Sequence, residues 1–297
     1  MNVIKLVSGG IDSYIMSQQF EGKNVYIDFG QKYAEQEKTA LDKLGVEYDV
    51  IKFECGFKNN DIYINNRNLC LASIVAMTYS PDKIYIAGLK DDNCIDKTEF
   101  EFKVMSDTIS RYCTKSIAIE SPYWHKTKAD IIQEFKEKEK LIDTFSCYNP
   151  KKDRACGDCP ACLRRVIALE TCGVNTGVEL SDRIINEYIS KIHNYDSDRM
   201  SRFFIYLSKR KKITAIDIDG VLCEEKNVPY ENRNAIKENI EKINDTQGYK
   251  ILYTARLEQD RKTTVDWLLK NNVKYDALIM NKLPYNKLID DRSVASV

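Results

Sequence analysis

The chain lacks a surplus of charge of either sign: 45 Lys and Arg face 45 Asp and Glu, so the formal net charge is zero. That balance excludes the broadly basic surface of a dedicated nucleic-acid binder, whose affinity rests on neutralising phosphates. The basic clusters that do occur, such as LSKRKK at Leu207 to Lys212, are short and read as a solvated linker. No apolar run approaches the roughly 18 residues that a membrane span needs. Nor does an apolar leader follow the first methionine, because MNVIKLV runs straight into Ser-Gly-Gly. A cytoplasmic chain is expected, with neither a membrane nor a nucleic-acid partner. Internal repeats and low-complexity segments are absent as well.

What the chain does have is ten cysteines. In a reducing compartment they argue for metal binding or catalysis rather than a disulfide framework. At 297 residues and 43% hydrophobic content there is material for two domains, at about 150 residues each, with sizeable cores. The first two thirds alternate strand and helix. Strands are expected at Asn2–Val7, Asn24–Gly30, Tyr48–Phe53 and Asp82–Leu89, and helices at Asp12–Phe20, Ala34–Leu44 and Arg67–Ser80. Such alternation implies βαβ units and a parallel sheet. A second α/β series starts at Lys212–Leu222, with strands at Tyr249–Arg256 and in YDALIMN, and helices at Asn234–Asp245 and Arg261–Asn271. The expected division is 1–200, a linker at 201–212 after a helix at Asp182–His193, and 213–297.

SGGIDS, Ser8 to Ser13, joins the first strand to the first helix, where open parallel sheets hold their ligands. The loop has no lysine, so it is not the G-x-x-x-x-G-K-[ST] loop that grips a β/γ-phosphate. Two hydroxyls, two glycines and a helix amino end favour an oxyanion, most simply a pyrophosphate-like group. The bland alternative is a tight turn with Ser or Asp as N-cap. A second cluster, SCYNPKKDRACGDCPACLRR, sets Cys147, Cys156, Cys159 and Cys162 at C-x8-C-x2-C-x2-C spacing. Four thiolates so spaced match tetrahedral Zn²⁺ with no position left for catalysis. A Cys₄ iron–sulfur cluster is the competing metal. Cys55, Cys70, Cys94, Cys113, Cys172 and Cys223 lack paired spacing and read as buried or incidental thiols, with Cys94 the one to watch. His125 and His193 read as structural.

SGGIDS, DFGQKYAEQE (Asp28–Glu37), NNRN (Asn65–Asn68), SPYWHKTKADII (Ser121–Ile132) and the cysteine quartet, in that order, resemble the QueC family. These are the 7-cyano-7-deazaguanine synthases of the N-type ATP pyrophosphatase (PP-loop) superfamily. The resemblance runs from residue 1 to about 180. It implies an adenine nucleotide alpha hydrolase-like sheet with a Cys₄ zinc knuckle, and an ATP-dependent C–N ligase in a commonly homodimeric enzyme. ATP would activate the carboxylate of 7-carboxy-7-deazaguanine by adenylation, with loss of pyrophosphate. Ammonia would then give the amide, and a second ATP the nitrile. Ser8, Gly9, Gly10, Asp12 and Ser13 would hold the phosphates, with Asp12 helping to place Mg²⁺. Arg67, Asn68 and Lys128 would stand near the phosphates or the acyl-adenylate, Lys128 as a catalytic cation; by itself Lys128 reads equally as a helix-start surface lysine. GLKDDNCIDKTEFE (Gly88–Glu101) departs from the family text in a segment that helps form the base pocket in relatives. QueC-like proteins of antiviral-defence operons can join the deazaguanine acyl group to a protein amine, so a partner-protein acceptor is the alternative.

Residues 213–297 carry AIDIDGVL, ILYTAR, LIMNKLPY and IDDR. This order resembles the haloacid dehalogenase (HAD)-like phosphatases, especially small members without a large cap. The resemblance implies Asp217 as a nucleophile forming an aspartyl-phosphate and Asp219 as general acid/base. Thr254 and Lys282 would bind phosphoryl oxygens. Asp217, Asp219 and Asp290 or Asp291 would hold Mg²⁺ through hard oxygen ligands. A retained fold that docks a partner is the structural alternative.

Overall fold

The computed structural model describes residues 1–53, 66–92, 94–152, 154–225 and 227–283. The chain falls into two compact units, Met1–Ile184 and Ile185–Val297.

In the first unit the described elements are β1 (Val3–Leu6), α1 (Ile11–Gln19), β2 (Lys23–Asp28), α2 (Ala34–Lys43), β3 (Asp49–Lys52) and α3 (Arg67–Tyr79). They continue with β4 (Lys83–Tyr85), α4 (Glu99–Arg111), β5 (Ala118–Glu120), α5 (Lys128–Glu134) and α6 (Pro160–Thr171). The five strands form one parallel sheet in the order β3-β2-β1-β4-β5. The order reverses direction at β1, so the crevice beyond the carboxyl end of β1 is where such a sheet opens to a ligand. SGGIDS lies there.

Strands buried on both faces read as near-continuous apolar runs, and this sheet is covered on both sides. Ile4, Leu6, Val25, Ile27, Ile84 and Ile119 share one core with α3 and α4, through Ala72, Val75, Phe102, Met105 and Ile109. Val7 and Tyr26 join Ile15, Leu41, Ile131, Ile132 and Leu169 of α1, α2, α5 and α6 in the other. Lys5 interrupts the run on β1. It is 3% exposed, and its ammonium donates to the carbonyls of Ser17 (2.9 Å) and Phe20 (2.7 Å) at the end of α1. A buried cation is thus matched with helix carbonyls that lack intrahelical partners. Burial lowers its proton affinity, and Glu21 opposes that.

The fourth strand stops at Tyr85, short of the expected Leu89. Beyond it Gly88 N–H donates to the Ser121 hydroxyl (3.0 Å), which donates back to Gly88 O (2.7 Å). Side-chain bonds replace the ladder and turn the chain toward the sheet's open end. The helices α4, α5 and α6 and strand β5 are not among the elements expected from the sequence pattern.

The second unit contains α8 (Ser197–Ser208), β6 (Ile213–Ile216), α9 (Lys237–Asn244), β7 (Tyr249–Tyr253), α10 (Arg261–Lys270) and β8 (Ala277–Ile279), after α7 (Asp182–Ser190), which spans the boundary. Its described strands form a parallel sheet ordered β6-β7-β8. The division at Ile184/Ile185 precedes the expected linker at 201–212, most of which is helix. The physical reason is legible afterwards: Asp196 caps Arg199 N–H (2.9 Å), and Phe203, Tyr206 and Leu207 form a buried stripe beneath the polar text. The expected strand at Lys212–Leu222 ends at Ile216. Ile218 O then accepts from the amides of Val221, Leu222 and Cys223, so DIDGVL winds into a turn.

Phe102 is 1% exposed and meets Trp124 edge-on at 4.7 Å. Phe102→Ala should destabilise the first unit by about 3–5 kcal/mol through lost burial and a residual cavity. The check is the urea midpoint followed at Trp124 in a Trp267→Phe background, where it is the sole tryptophan.

Candidate functional site

Gly9 has φ +66°, and a Cβ there would sit 2.6 Å from Glu37 O, so the loop needs glycine for both conformation and room. The two serines hold the loop in shape. Ser13 Oγ accepts from Ser8 N–H (3.1 Å), lies 3.2 Å from Ser8 Oγ and donates to Gly10 O (3.1 Å). The α1 N-cap is Gly10, with no side-chain cap, so neither Ser8 nor Asp12 plays the capping part. The positive end of α1 therefore faces the cavity with no side-chain acceptor on its cap, the usual preparation for an anion.

The cavity at this loop has a volume of about 280 Å³, and Ser8, Gly10, Asp12 and Ser13 line one side of it. Lys128, the first residue of α5, is placed by a capping box. Thr127 Oγ1 accepts from Asp130 N–H (3.2 Å), and Asp130 accepts from Thr127 N–H (2.8 Å). Its buried ammonium pairs with Asp12 across the loop. Burial lowers the proton affinity of Lys128, and Asp12 works against that. Arg67 and Asn68, at the start of α3, also line the cavity, and Asn68 is buried and donates to Asp96 O (3.2 Å). Ser8, Gly10, Asp12, Ser13, Arg67, Asn68 and Lys128 thus line one cavity, and of the expected set Gly9 does not.

Further titratable groups line the cavity that the sequence pattern did not single out, Glu37, Asp92, Lys97 and Arg164 among them. Asp92 has a side chain 2% exposed, paired with Lys97 (3.3 Å) and Arg164. Burial alone would raise its carboxyl, but Lys97, Arg164 and Lys128 hold it well below the ordinary range. Arg164 follows the last knuckle cysteine by two residues, and that adjacency in CLRR was the available signal. Glu37 accepts from Tyr26 O–H (2.8 Å) and Gln31 (2.9 Å). Burial pushes it up to about 7 from 4.5, against the hydrogen bonds and Arg67. Cys94 also lines the cavity; among the unpaired-spacing thiols Cys70 is exposed, Cys223 is buried and Cys55 lies outside the described residues. His125 and His193 are exposed.

The ligand atoms of Cys147, Cys156, Cys159 and Cys162 all lie within 4.8 Å of one another. Cys156 and Cys162 sulfurs are 3.8 Å apart, the separation expected for two thiolates about 2.3 Å from one tetrahedral ion. A four-iron cluster, with each thiolate on a different corner iron, needs a wider spread. The donor set therefore fits a single ion such as Zn²⁺. Backbone amides of Cys156 (3.3 Å) and Asp158 (3.3 Å) donate to knuckle sulfurs, and Cys162 N–H donates to Cys159 Sγ (3.4 Å). Gly157 has φ +67°, and a Cβ there would lie 2.1 Å from Glu179 O. Pro160 starts α6 with its fixed φ.

In the second unit Asp217 and Asp219 follow β6, and Thr254 follows β7. Asp217 pairs with Lys282 at 2.6 Å, and Lys282 N–H donates to Thr254 O (2.9 Å). These three expected residues come together. Asp219 is engaged differently from a free acid/base. Arg256, wholly buried, binds it bidentately (Nε 2.9 Å, Nη2 2.6 Å), Arg233 adds a contact at 2.5 Å, and Cys223 one at 3.2 Å. Both guanidiniums also lie against the Tyr230 ring, at 4.2 and 4.6 Å. Burial alone would raise the Asp219 carboxyl, but Arg256, Cys223 and Arg233 hold it below the usual range. It is an ionised anchor in this structure. Asp290 and Asp291 lie outside the described residues.

Fold and site together define an α/β protein with an anion-ready loop at the switch point of a parallel sheet and a metal-competent knuckle beside it. The family model described as "Queuosine biosynthesis protein QueC" matches residues 54–173, inside the first unit. The chain is also similar to proteins named 7-cyano-7-deazaguanine synthase. That of Pseudoalteromonas translucida is 26% identical over 204 residues, covering 57% of this chain and 93% of the relative. That of Picrophilus torridus is 28% identical over 223 residues, covering 60% and 90%. That of Leptospira interrogans is 27% identical over 212 residues, covering 58% and 88%. Among solved structures, an S. aureus MnaA–UDP co-structure covers 94% of this chain and 69% of its own, at 13% identity and a TM-score of 0.27, too low to argue from. No helix among the described residues is long and apolar enough to cross a membrane.

Two measurements follow. Glu37 takes its proton more readily folded than unfolded, so its contribution to stability falls as pH rises from about 4.5 to about 7. Glu37→Gln should flatten that stretch of the urea midpoint against pH. Asp219→Asn leaves Arg256 buried with no carboxylate and should cost the second unit about 3–5 kcal/mol, read at Trp267 in a Trp124→Phe background.

Proposed function

We propose that the first unit is a QueC-like, ATP-dependent C–N ligase that adenylates the carboxylate of 7-carboxy-7-deazaguanine on the way to 7-cyano-7-deazaguanine. The observation that carries this is the lysine-free SGGIDS loop at the open end of β1, paired with Lys128 through Asp12 on a cavity that Cys147 of the four-thiol knuckle also lines. The relatives named as synthases, each aligned over about nine tenths of its length, support the same reading.

The chemistry follows from charge. A carboxylate is a poor electrophile until its oxygen becomes a leaving group, and attack on the α-phosphate of ATP supplies one as AMP while pyrophosphate departs. The departing pyrophosphate gains negative charge. The bare helix amides of α1 and the ammonium of Lys128 would stabilise it there, where fixed donors act without reorganising. Asp12, now paired with Lys128, would exchange that partner for the Mg²⁺ that accompanies ATP. Arg67 would neutralise the remaining phosphate charge. Ammonia would displace AMP to give the amide, and a second activation would remove the amide oxygen. Zn²⁺ on the four thiolates would hold the wall of the cavity and leave no open position for chemistry.

The departure of Gly88–Glu101 from the family text favours a second reading of the acceptor, in which a partner-protein amine takes the acyl group in place of ammonia. For the second unit, Asp217, Lys282 and Thr254 support a HAD-like phosphoryl site. There Asp217 would be the nucleophile, Lys282 and Thr254 would hold the phosphoryl oxygens, and Asp290 or Asp291 would help bind Mg²⁺. With Asp219 held by two arginines, a docking role for this unit is the competing reading. The chain is expected to work as a homodimer.

One experiment separates these readings. The chain is incubated with ATP, Mg²⁺ and 7-carboxy-7-deazaguanine, with ammonia or candidate partner proteins, and products are followed by mass spectrometry. Nitrile is expected; a mass increment on a protein would move the acceptor to the second reading. No pyrophosphate release with any acceptor would sink both. Asp217→Asn on p-nitrophenyl phosphate reports the second unit separately: loss of turnover supports the phosphatase, and inert wild type supports docking.

A further inference from the structure

The knuckle reaches the cavity through two arms. In the first, Phe145 N–H donates to Gly9 O at 2.8 Å, while Ser146, Cys147 and Tyr148 line the cavity beside it. One metal ligand is therefore also cavity wall, two residues from a bond to the glycine loop. The second arm is α6, whose first turn contains Cys162 and whose next residues bring Arg164 to the cavity.

Arg164 binds the segment that departs from the family text. Its Nη1 pairs with Asp92, and its Nη2 meets Asp91 at the carbonyl (3.3 Å) and the carboxylate (3.4 Å). Each acid then acts on something else. Asp91 Oδ1 accepts from the Lys128 amide at 3.1 Å, and Asp92 Oδ2 accepts from the Leu89 amide at 3.1 Å. Lys128 pairs with Asp12 of the loop. Direct bonds thus run from α6 through Arg164, Asp91 and Lys128 to SGGIDS. Asp92 is nearly sealed from water, so a carboxylate there is tolerable only with its cations in place. A planar guanidinium is suited to span two neighbouring acids at once, whereas an ammonium is a point charge.

We propose that Arg164 is the positioning residue through which the cysteine knuckle sets the phosphate end of the cavity, so that metal occupancy governs nucleotide binding. This rests on the reading of SGGIDS as a nucleotide loop. Without a cation, four thiolates this close repel, and both arms lose their fixed origin.

The test uses the full chain loaded with zinc, with R164A, R164K and a zinc-stripped sample. Metal content, amide hydrogen exchange and Mg-ATP affinity by calorimetry are measured on each. R164A should keep one zinc per chain, exchange faster at the Leu89 and Lys128 amides, and bind ATP about 10- to 100-fold more weakly, the range for losing a charge-assisted contact. R164K should lose less affinity but still loosen the Lys128 amide, and it carries the test should R164A fail to fold. The zinc-stripped chain should loosen the same segments, together with 145–148. Zinc-loaded variants with unchanged exchange and affinity would overturn the proposal, as would a folded, zinc-free chain that binds ATP like the loaded one. If loaded wild type binds no ATP, the nucleotide reading falls, and exchange at Leu89 and Lys128 still decides whether Arg164 positions the segment.

Discussion

Four sulfur atoms within 4.8 Å of one another impose a severe electrostatic condition on the chain that carries them. As thiolates they repel strongly in a partly dry setting, and a divalent ion reverses the sign of that interaction. The rest of the first unit is arranged as though that condition were met. Backbone amides point at the sulfurs, glycine at 157 lets the chain pass against Glu179, and α6 starts from Cys159 and Pro160 in a defined direction. The direction matters because Arg164 lies on the second turn of that helix.

The cavity beside the knuckle concentrates opposite charges that are largely shielded from water. Lys128 pairs with Asp12, while Asp92 is ringed by Lys97 and Arg164. Buried pairs of this kind contribute little net stability and are costly to break. What they do is hold donors at fixed points, the arrangement that the proposed phosphate chemistry would call for. Glu37 stands apart from these pairs. Its hydrogen-bond partners, Gln31 and Tyr26, are neutral, and burial outweighs them and Arg67, so the carboxyl is pushed up to about 7.

The second unit uses similar residue types with a different balance. Asp217 meets one ammonium and Asp219 two guanidiniums, and a carboxylate so saturated has no tendency to carry a proton. Two acids spaced two residues apart in DIDG look equivalent in text. They differ because Arg256 and Arg233, distant in sequence, both converge on the second and lie against Tyr230.

The sequence alone determined what depends on local pattern. Apolar strands with helical spacing between them announced parallel βαβ units. SGGIDS announced an anion-ready turn, and C-x8-C-x2-C-x2-C announced a four-thiol metal site. These are properties of neighbours along the chain, where φ preferences, period and spacing carry the signal. Tertiary structure alone decided which charges face each other. No local rule pairs Lys128 with Asp12 or Arg164 with Asp92, because sheet order and the knuckle bring them together. Helix α8 was hidden beneath basic text because only packing shows which of its residues form the buried stripe. Asp219 became an anchor for the same reason: the energy of a buried charge is set by what surrounds it in space.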